Sequence, residues 1–248
     1  MFKKRKNNRY SDLEISKTLH KNLDFSATEQ YKRLRANLNF TLPDDVECPV
    51  IGVSSSTRGE GKSTTSINLA YVLAENGDKV LLLDGDLRIP SVSKKMEIKS
   101  TPGLTDLLVG DCLNNMEQFK SNIFDNWYVV PSGNLPPNPS ELVGSKKMEK
   151  LLQRLKKDFD YIIVDLPPVN LVSDVASISS YLDGLVLIVR QDITEKKEFD
   201  ACVKQLKLSN INVLGCVLNE EKSDGYSHKY KKHYRNYYKN YEYRSDKK

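Results

Sequence analysis

Gly61-Lys62-Ser63 and three separated aspartates, Asp84, Asp86 and Asp165, are the residues of this 248-residue chain whose types and spacing suit phosphate chemistry. The run Ser56-Thr57-Arg58-Gly59-Glu60-Gly61-Lys62-Ser63 ends as the template G-x-x-x-x-G-K-[ST] requires, and Thr64 follows it. In that template loop N–H groups close around phosphate oxygens while the next helix turns its N-terminus toward them. Lys62 would reach the β- and γ-phosphates of a nucleotide and Ser63 would ligate Mg²⁺. Ser56 stands where the first glycine is usual, but Gly59 and Gly61 still let main chain approach a ligand closely. The bland alternative is a Gly/Ser turn between strand and helix, which the flanking pattern disfavours. A dinucleotide fingerprint, G-x-G-x-x-G, fails, because counted from Gly59 its last position is Thr64.

The aspartates end apolar runs. Lys79 to Leu83 leads into Asp84-Gly85-Asp86-Leu87-Arg88, and Tyr161-Ile162-Ile163-Val164 leads into Asp165. Carboxylates at the carboxyl ends of buried strands lie where open α/β sheets bind ligands. Such residues can also simply cap the next element, yet two of them one glycine apart beside a phosphate loop favour metal work. Asp165 fits a Walker-B-like role, holding Mg²⁺ directly or through water.

The elements that must position these groups follow from hydrophobic period. Ser26-Ala27-Thr28-Glu29 has the form of a capping box, and Tyr31, Leu34 and Leu38 follow at helical spacing. Glu29 either caps that helix or pairs with a basic residue of a neighbouring subunit. A strand over 50–53, the loop, and a helix through Ile67 and Leu69 come next, with Gly77 marking its end. Further on, the pattern predicts helical turns over 104–108, a strand over 128–130, a proline-rich loop over 131–139 and a helix over 140–155. Strands over 161–165, 185–189 and 213–218 and a helix over 195–208 complete the series. Asn219, at the end of the last strand, either reads a purine edge or turns the chain.

This alternation predicts an α/β P-loop NTPase fold, a doubly wound and mostly parallel sheet with flanking helices. Three parts are expected: a basic flexible arm over 1–23, the domain over 24–221, and a disordered, Tyr-rich basic tail over 222–248. The tail carries Tyr226, Tyr230, Tyr234, Tyr237, Tyr238, Tyr241 and Tyr243 among Lys, Arg, His and Asn. Such residues could stack on single-stranded nucleic acid or serve as phosphate acceptors. The net charge of +5 is unevenly placed, with Lys3, Lys4, Arg5, Lys6 and Arg9 at the start, which suits a polyanionic or membrane-surface neighbour or merely solvated ends. Cys48, Cys112, Cys202 and Cys216 lack C-x-x-C spacing and are expected to be buried thiols in a reducing cytosol. No apolar run has the length of a membrane span and no signal peptide is evident.

The phosphate loop, the acidic box Asp84 to Arg88, the strand Ile162 to Asp165, the segment Asn138-Pro139-Ser140-Glu141-Leu142 and the tyrosine-rich tail together resemble the bacterial tyrosine kinases of capsule and exopolysaccharide biosynthesis. The resemblance is to the cytoplasmic type that is separate from its membrane activator, and it runs from Glu29 onward. It implies ATP and Mg²⁺ as cofactors, with Ser63, Asp84 and Asp165 on the metal. Lys62 would serve the phosphates, and Asp84 or Asp86 would orient or deprotonate the acceptor hydroxyl. Thr57, Arg58, Gly59, Glu60, Gly61, Lys62, Ser63, Thr64 and Asn219 would bind nucleotide. The seven tail tyrosines would accept phosphate, in trans within a homo-oligomer.

An E-x-x-R-x-x-R pattern on the early helix helps assemble a ring in this family; here it is Glu29, Lys32 and Arg35, and Lys lacks the planar fork of Arg. The expected partners are a transmembrane activator of the polysaccharide copolymerase or chain-length-regulator type and a cognate tyrosine phosphatase, with no specific nucleic acid. The chain would then be cytoplasmic and recruited to the inner face of the membrane. The related partitioning and cell-division-site ATPases carry a signature lysine where this chain has Thr57. Two other readings stay open: a P-loop ATPase switch for positioning or assembly, and a nucleic-acid-binding module working through the tail.

Overall fold

The computed structural model describes residue 19 and residues 22–42, 45–110 and 116–220. In chain order the helices and strands are α1 (Phe25–Thr41), β1 (Val50–Ser55), α2 (Lys62–Glu75), β2 (Val80–Asp84), α3 (Val92–Met96) and α4 (Leu104–Val109). After a 3-10 turn come β3 (Trp127–Val130), α5 (Pro139–Val143), α6 (Lys146–Leu155), β4 (Tyr161–Asp165), α7 (Asp174–Ile178), β5 (Gly184–Arg190), α8 (Lys196–Leu208) and β6 (Val213–Asn219). One six-stranded sheet runs in the order β3-β2-β4-β1-β5-β6. All of its pairings are parallel.

Strand residues alternate between two cores because successive side chains leave opposite faces of the pleat. Leu81, Leu83, Ile162, Val164, Leu185 and Leu187 meet α4 to α8 on one face. Val80, Leu82, Ile51, Val53, Ile163 and Ile188 meet α1 and α2 on the other. Buried on both sides, the central strands are continuous apolar runs, and their only carboxylates stand at the carboxyl edge. There Asp84 and Asp165 are register partners on adjacent strands.

Several local expectations are corrected. The first helix is capped by Asp24, whose Oδ1 accepts from the Ala27 N–H at 2.7 Å, so Ser26 lies inside the first turn. Glu29 does not cap; its carboxylate pairs with Lys32 at 3.2 Å. The helix expected over 140–155 is two helices, α5 and α6, separated by Gly144 and restarted by Ser145, whose hydroxyl caps the Met148 N–H. Leu19 is fully buried in the α1/α2 core. Cys48 and Cys202 are buried and burial pushes both thiols up to about 11, but Cys216 is exposed. It lies on β6, an edge strand of the sheet among the described residues, while Cys112 lies outside them. No helix among the described residues is long and apolar enough to cross a membrane.

Candidate functional site

The loop after β1 occupies the carboxyl edge of the sheet, between the ends of β4 and β5. Its left-handed residues are Gly59, with φ 83°, and Gly61, with φ 99°. Ser56 is buried and does not have a positive φ, so its backbone does not demand glycine. The first backbone bond of α2 runs from the Thr65 N–H to the Gly61 carbonyl at 2.9 Å. The amides of Lys62, Ser63 and Thr64 therefore have no partner inside the helix and face its N-terminal end, where the helix dipole favours an anion.

A brace holds the loop from the β5/β6 side. Asn219 Nδ2 donates to the Glu60 carbonyl at 2.9 Å, and Arg190 Nη1 donates to the Gly59 carbonyl at 2.7 Å. Arg190 also pairs with Glu220. Glu60 is fully buried, its carboxylate accepting from the Thr57 N–H at 3.0 Å, from Thr57 Oγ1 at 3.2 Å and from Thr194 Oγ1 at 2.5 Å. Glu60 thus shapes the loop with its side chain and spends the Thr57 amide in doing so. Arg58 and Gly59 are exposed at the loop tip.

Opposite lies the charged centre. Lys62 Nζ donates to Asp86 Oδ2 at 2.8 Å and to Ser63 Oγ at 3.3 Å, and it lies 3.7 Å from Asp165 Oδ2. Asp86 Oδ1 accepts from the Ile89 N–H at 3.0 Å, which closes the loop after β2. Asp84 Oδ2 accepts from the Val92 N–H at 3.1 Å, and Asp165 Oδ1 accepts from Ser66 Oγ at 3.2 Å. Asp84 and Asp165 are both fully buried. Burial and the neighbouring Asp165 push Asp84 up to about 8, and burial raises Asp165 as well. Burial alone would lower Lys62, but Asp165 and Asp86 more than reverse this and raise it.

Asp84 Oδ1 and Asp165 Oδ2 are buried without a hydrogen-bond partner. These two buried carboxylate oxygens, on adjacent strand ends and with the Ser63 hydroxyl against Asp165, fit a hard cation, which takes oxygen ligands. Among the described residues no three His, Cys, Asp or Glu side chains form a ready cage. Mg²⁺ does not require one, since it ordinarily takes one or two carboxylates and completes its shell with substrate phosphates and water.

Sequence reasoning missed the supports of this centre. Arg88 forks onto the fully buried Asp174 at 3.0 to 3.4 Å and donates through Nη2 to Ser140 Oγ at 2.9 Å, while Ser140 donates to Asp174. This ties the acidic box to the first turns of α5 and α7. Arg190, Thr194 and Lys95 were likewise unassigned; a cation at the carboxyl end of β5 was the available signal for Arg190. Away from the centre, Arg35 Nη1 donates to the Val72 carbonyl at 2.6 Å, joining α1 to α2. The tail tyrosines lie outside the described residues.

Residues 48–216 match the family model described as an AAA domain. The tyrosine-protein kinase YwqD of Bacillus subtilis is 36% identical over 201 residues, which span 81% of this chain and 84% of that protein. The tyrosine-protein kinase CpsD of Streptococcus pneumoniae serotype 4 is 38% identical over 213 residues, 84% of this chain and 90% of the relative. The chain belongs to the bacterial tyrosine-kinase family. Within it, the kinase domain of Escherichia coli tyrosine kinase ETK superposes with a TM-score of 0.71 at 28% identity, covering 80% of this chain and 79% of that one. Outside the kinases, the septum site-determining protein MinD of Pyrococcus horikoshii, solved with Mg-ADP, gives a TM-score of 0.58 at 25% identity over 72% of each chain. The chain thus shares its P-loop NTPase fold with that protein.

Proposed function

We propose that the chain is an ATP-dependent protein-tyrosine kinase that autophosphorylates its C-terminal tyrosines in trans within a homo-oligomer and so regulates capsular or exopolysaccharide biosynthesis. The observation that carries this reading is the meeting of Lys62 with Asp84, Asp86 and Asp165 at the mouth of the phosphate loop, in a chain of this family. Phosphoryl transfer calls for positioning and charge neutralisation more than for covalent chemistry. Lys62 would leave Asp86 for the β- and γ-phosphates. Ser63, Asp84 and Asp165 would hold Mg²⁺, which supplies neutralisation of charge on the transferred phosphoryl group. Asp86, released by Lys62, would orient the tyrosine hydroxyl. A phenol with a pKa of about 10 accepts help from a carboxylate only as the transition state develops.

Glu29 and Lys32 would contribute to subunit contact from α1, whereas Arg35 already serves the fold through Val72. The nucleotide would be Mg-ATP, the activator a membrane protein of the chain-length-regulator type, and the site of action the inner face of the membrane. The likeness to MinD favours a second reading, an ATPase switch without kinase activity. Incubation with labelled ATP and Mg²⁺ separates the two. Phosphotyrosine that is lost in K62M supports the kinase; free phosphate without phosphotyrosine supports the switch.

A further inference from the structure

Lys95 is a charged side chain at the centre that the proposed chemistry does not use. It projects from α3, a helix pinned in place at its first residue: the Val92 side chain is buried in the α1/α2 core and its N–H is held by Asp84. Three residues on, Lys95 Nζ donates to Thr64 Oγ1 at 3.1 Å. Thr64 is the third residue of α2, and its amide belongs to the set left without an intrahelical partner. The ammonium group therefore touches the side chain of a residue whose N–H lines the anion-binding end of the helix.

The charge around this contact is one-sided. The polar partner of Lys95 among the described residues is a neutral hydroxyl, whereas Lys62 has Asp86. Burial, Lys62 and Lys94 all work against its protonation, and Asp165 is the acid that supports it. The positive end of the dipole of α2, a 14-residue helix, adds to the same side. A half-buried cation set against a helix N-terminus, beside a second lysine, is unfavourable alone and becomes favourable when a multiply charged anion enters.

We propose that Lys95 is a second cation of the nucleotide site, donating to phosphate oxygens on the Thr64 side of the loop while Lys62 serves the opposite side. The inference rests on the nucleotide-binding reading above, and the test separates the two.

The test is titration calorimetry of the full chain with Mg-ADP for wild type, K95M, K95Q, K95R and K62M at two salt concentrations, with thermal unfolding of each. K95M and K95Q are expected to bind about tenfold more weakly, the size of one charge-assisted hydrogen bond, and with a shallower salt dependence. K95R is expected to stay within about threefold of wild type, because it retains the charge. K95Q keeps polarity and most of the length, so it guards against a loss caused by disturbed packing of α3. Wild-type affinity in K95M or K95Q, with binding lost in K62M, would overturn the role of Lys95 and leave the nucleotide site standing. Wild-type affinity in K62M as well would overturn the nucleotide site and the Lys95 proposal together.

Discussion

Lys62 holds Asp86 at 2.8 Å and lies 3.7 Å from Asp165, so under the proposed function nucleotide entry would exchange carboxylate for phosphate at its ammonium group. The K62M variant should lose ATP-dependent phosphotyrosine while keeping its circular dichroism spectrum, because methionine retains most of the volume of the largely buried Lys62 side chain. Asp165→Ala should abolish activity through the metal instead, and extra Mg²⁺ should fail to restore it. Asp84 carries a separate signature. Its pKa of about 8 in the fold stands against an ordinary 3.8, so between those values the folded chain keeps a proton that the unfolded chain has released. Stability is undiminished by Asp84 below about pH 4 and falls as pH rises toward about 8. Asn at this position retains an acceptor for the Val92 N–H and has no charge to bury. In buffer with chelator, D84N should therefore melt higher than wild type at pH 8 and show a flatter dependence of melting temperature on pH; equal slopes would refute the assignment.

At the scale of elements, the loop after β1 is held by its neighbours as much as by its own sequence. A Cβ on Gly61 would fall 2.1 Å from Asn219 Nδ2, whereas one on Gly59 would meet nothing within 4 Å. Both glycines have positive φ. Gly59→Ala should cost about 1 kcal/mol, from backbone strain alone, and Gly61→Ala more, from strain and collision together. Combining Gly61→Ala with Asn219→Ala should recover part of the excess in a double-mutant cycle measured by denaturant unfolding. Zero coupling would mean that the loop yields elsewhere.

The loop, the strand ends and the acids on them were legible because each is a local pattern: an apolar run closed by a carboxylate, or a spaced Gly-Lys-Ser. Asn219 on Glu60 was not, since the two are 159 positions apart and only the sheet order joins them. Arg88 with Asp174, Thr194 with Glu60 and Lys95 with Thr64 share that property. The capping error arose because Asp24 and Ser26 are both competent caps, and the exposure of Cys216 because an apolar strand does not reveal that it will lie at an edge.

For the whole molecule, charge and connection decide how the site is used. From 222 to 248 there are nine Lys/Arg against three Asp/Glu, a net +6 with histidines neutral. Each phosphotyrosine adds about −1.5 to −2, so roughly three or four modifications would neutralise the segment. Phosphorylation should then weaken subunit contacts that depend on the unmodified segment reaching a neighbour's acidic site, and sedimentation at low and moderate salt should show the effect shrinking as screening rises. Full-rate activity of the purified chain, indifferent to cytoplasmic segments of candidate membrane activators, would contradict recruitment by such a partner. The central claim meets its most direct test in a mass-spectrometric map of the full chain after incubation with ATP and Mg²⁺, alone and mixed with K62M as acceptor. Phosphate on tyrosines between Tyr226 and Tyr243, appearing on K62M only when active chain is present, is the predicted result; ATP consumption with no phosphotyrosine on either chain would contradict it.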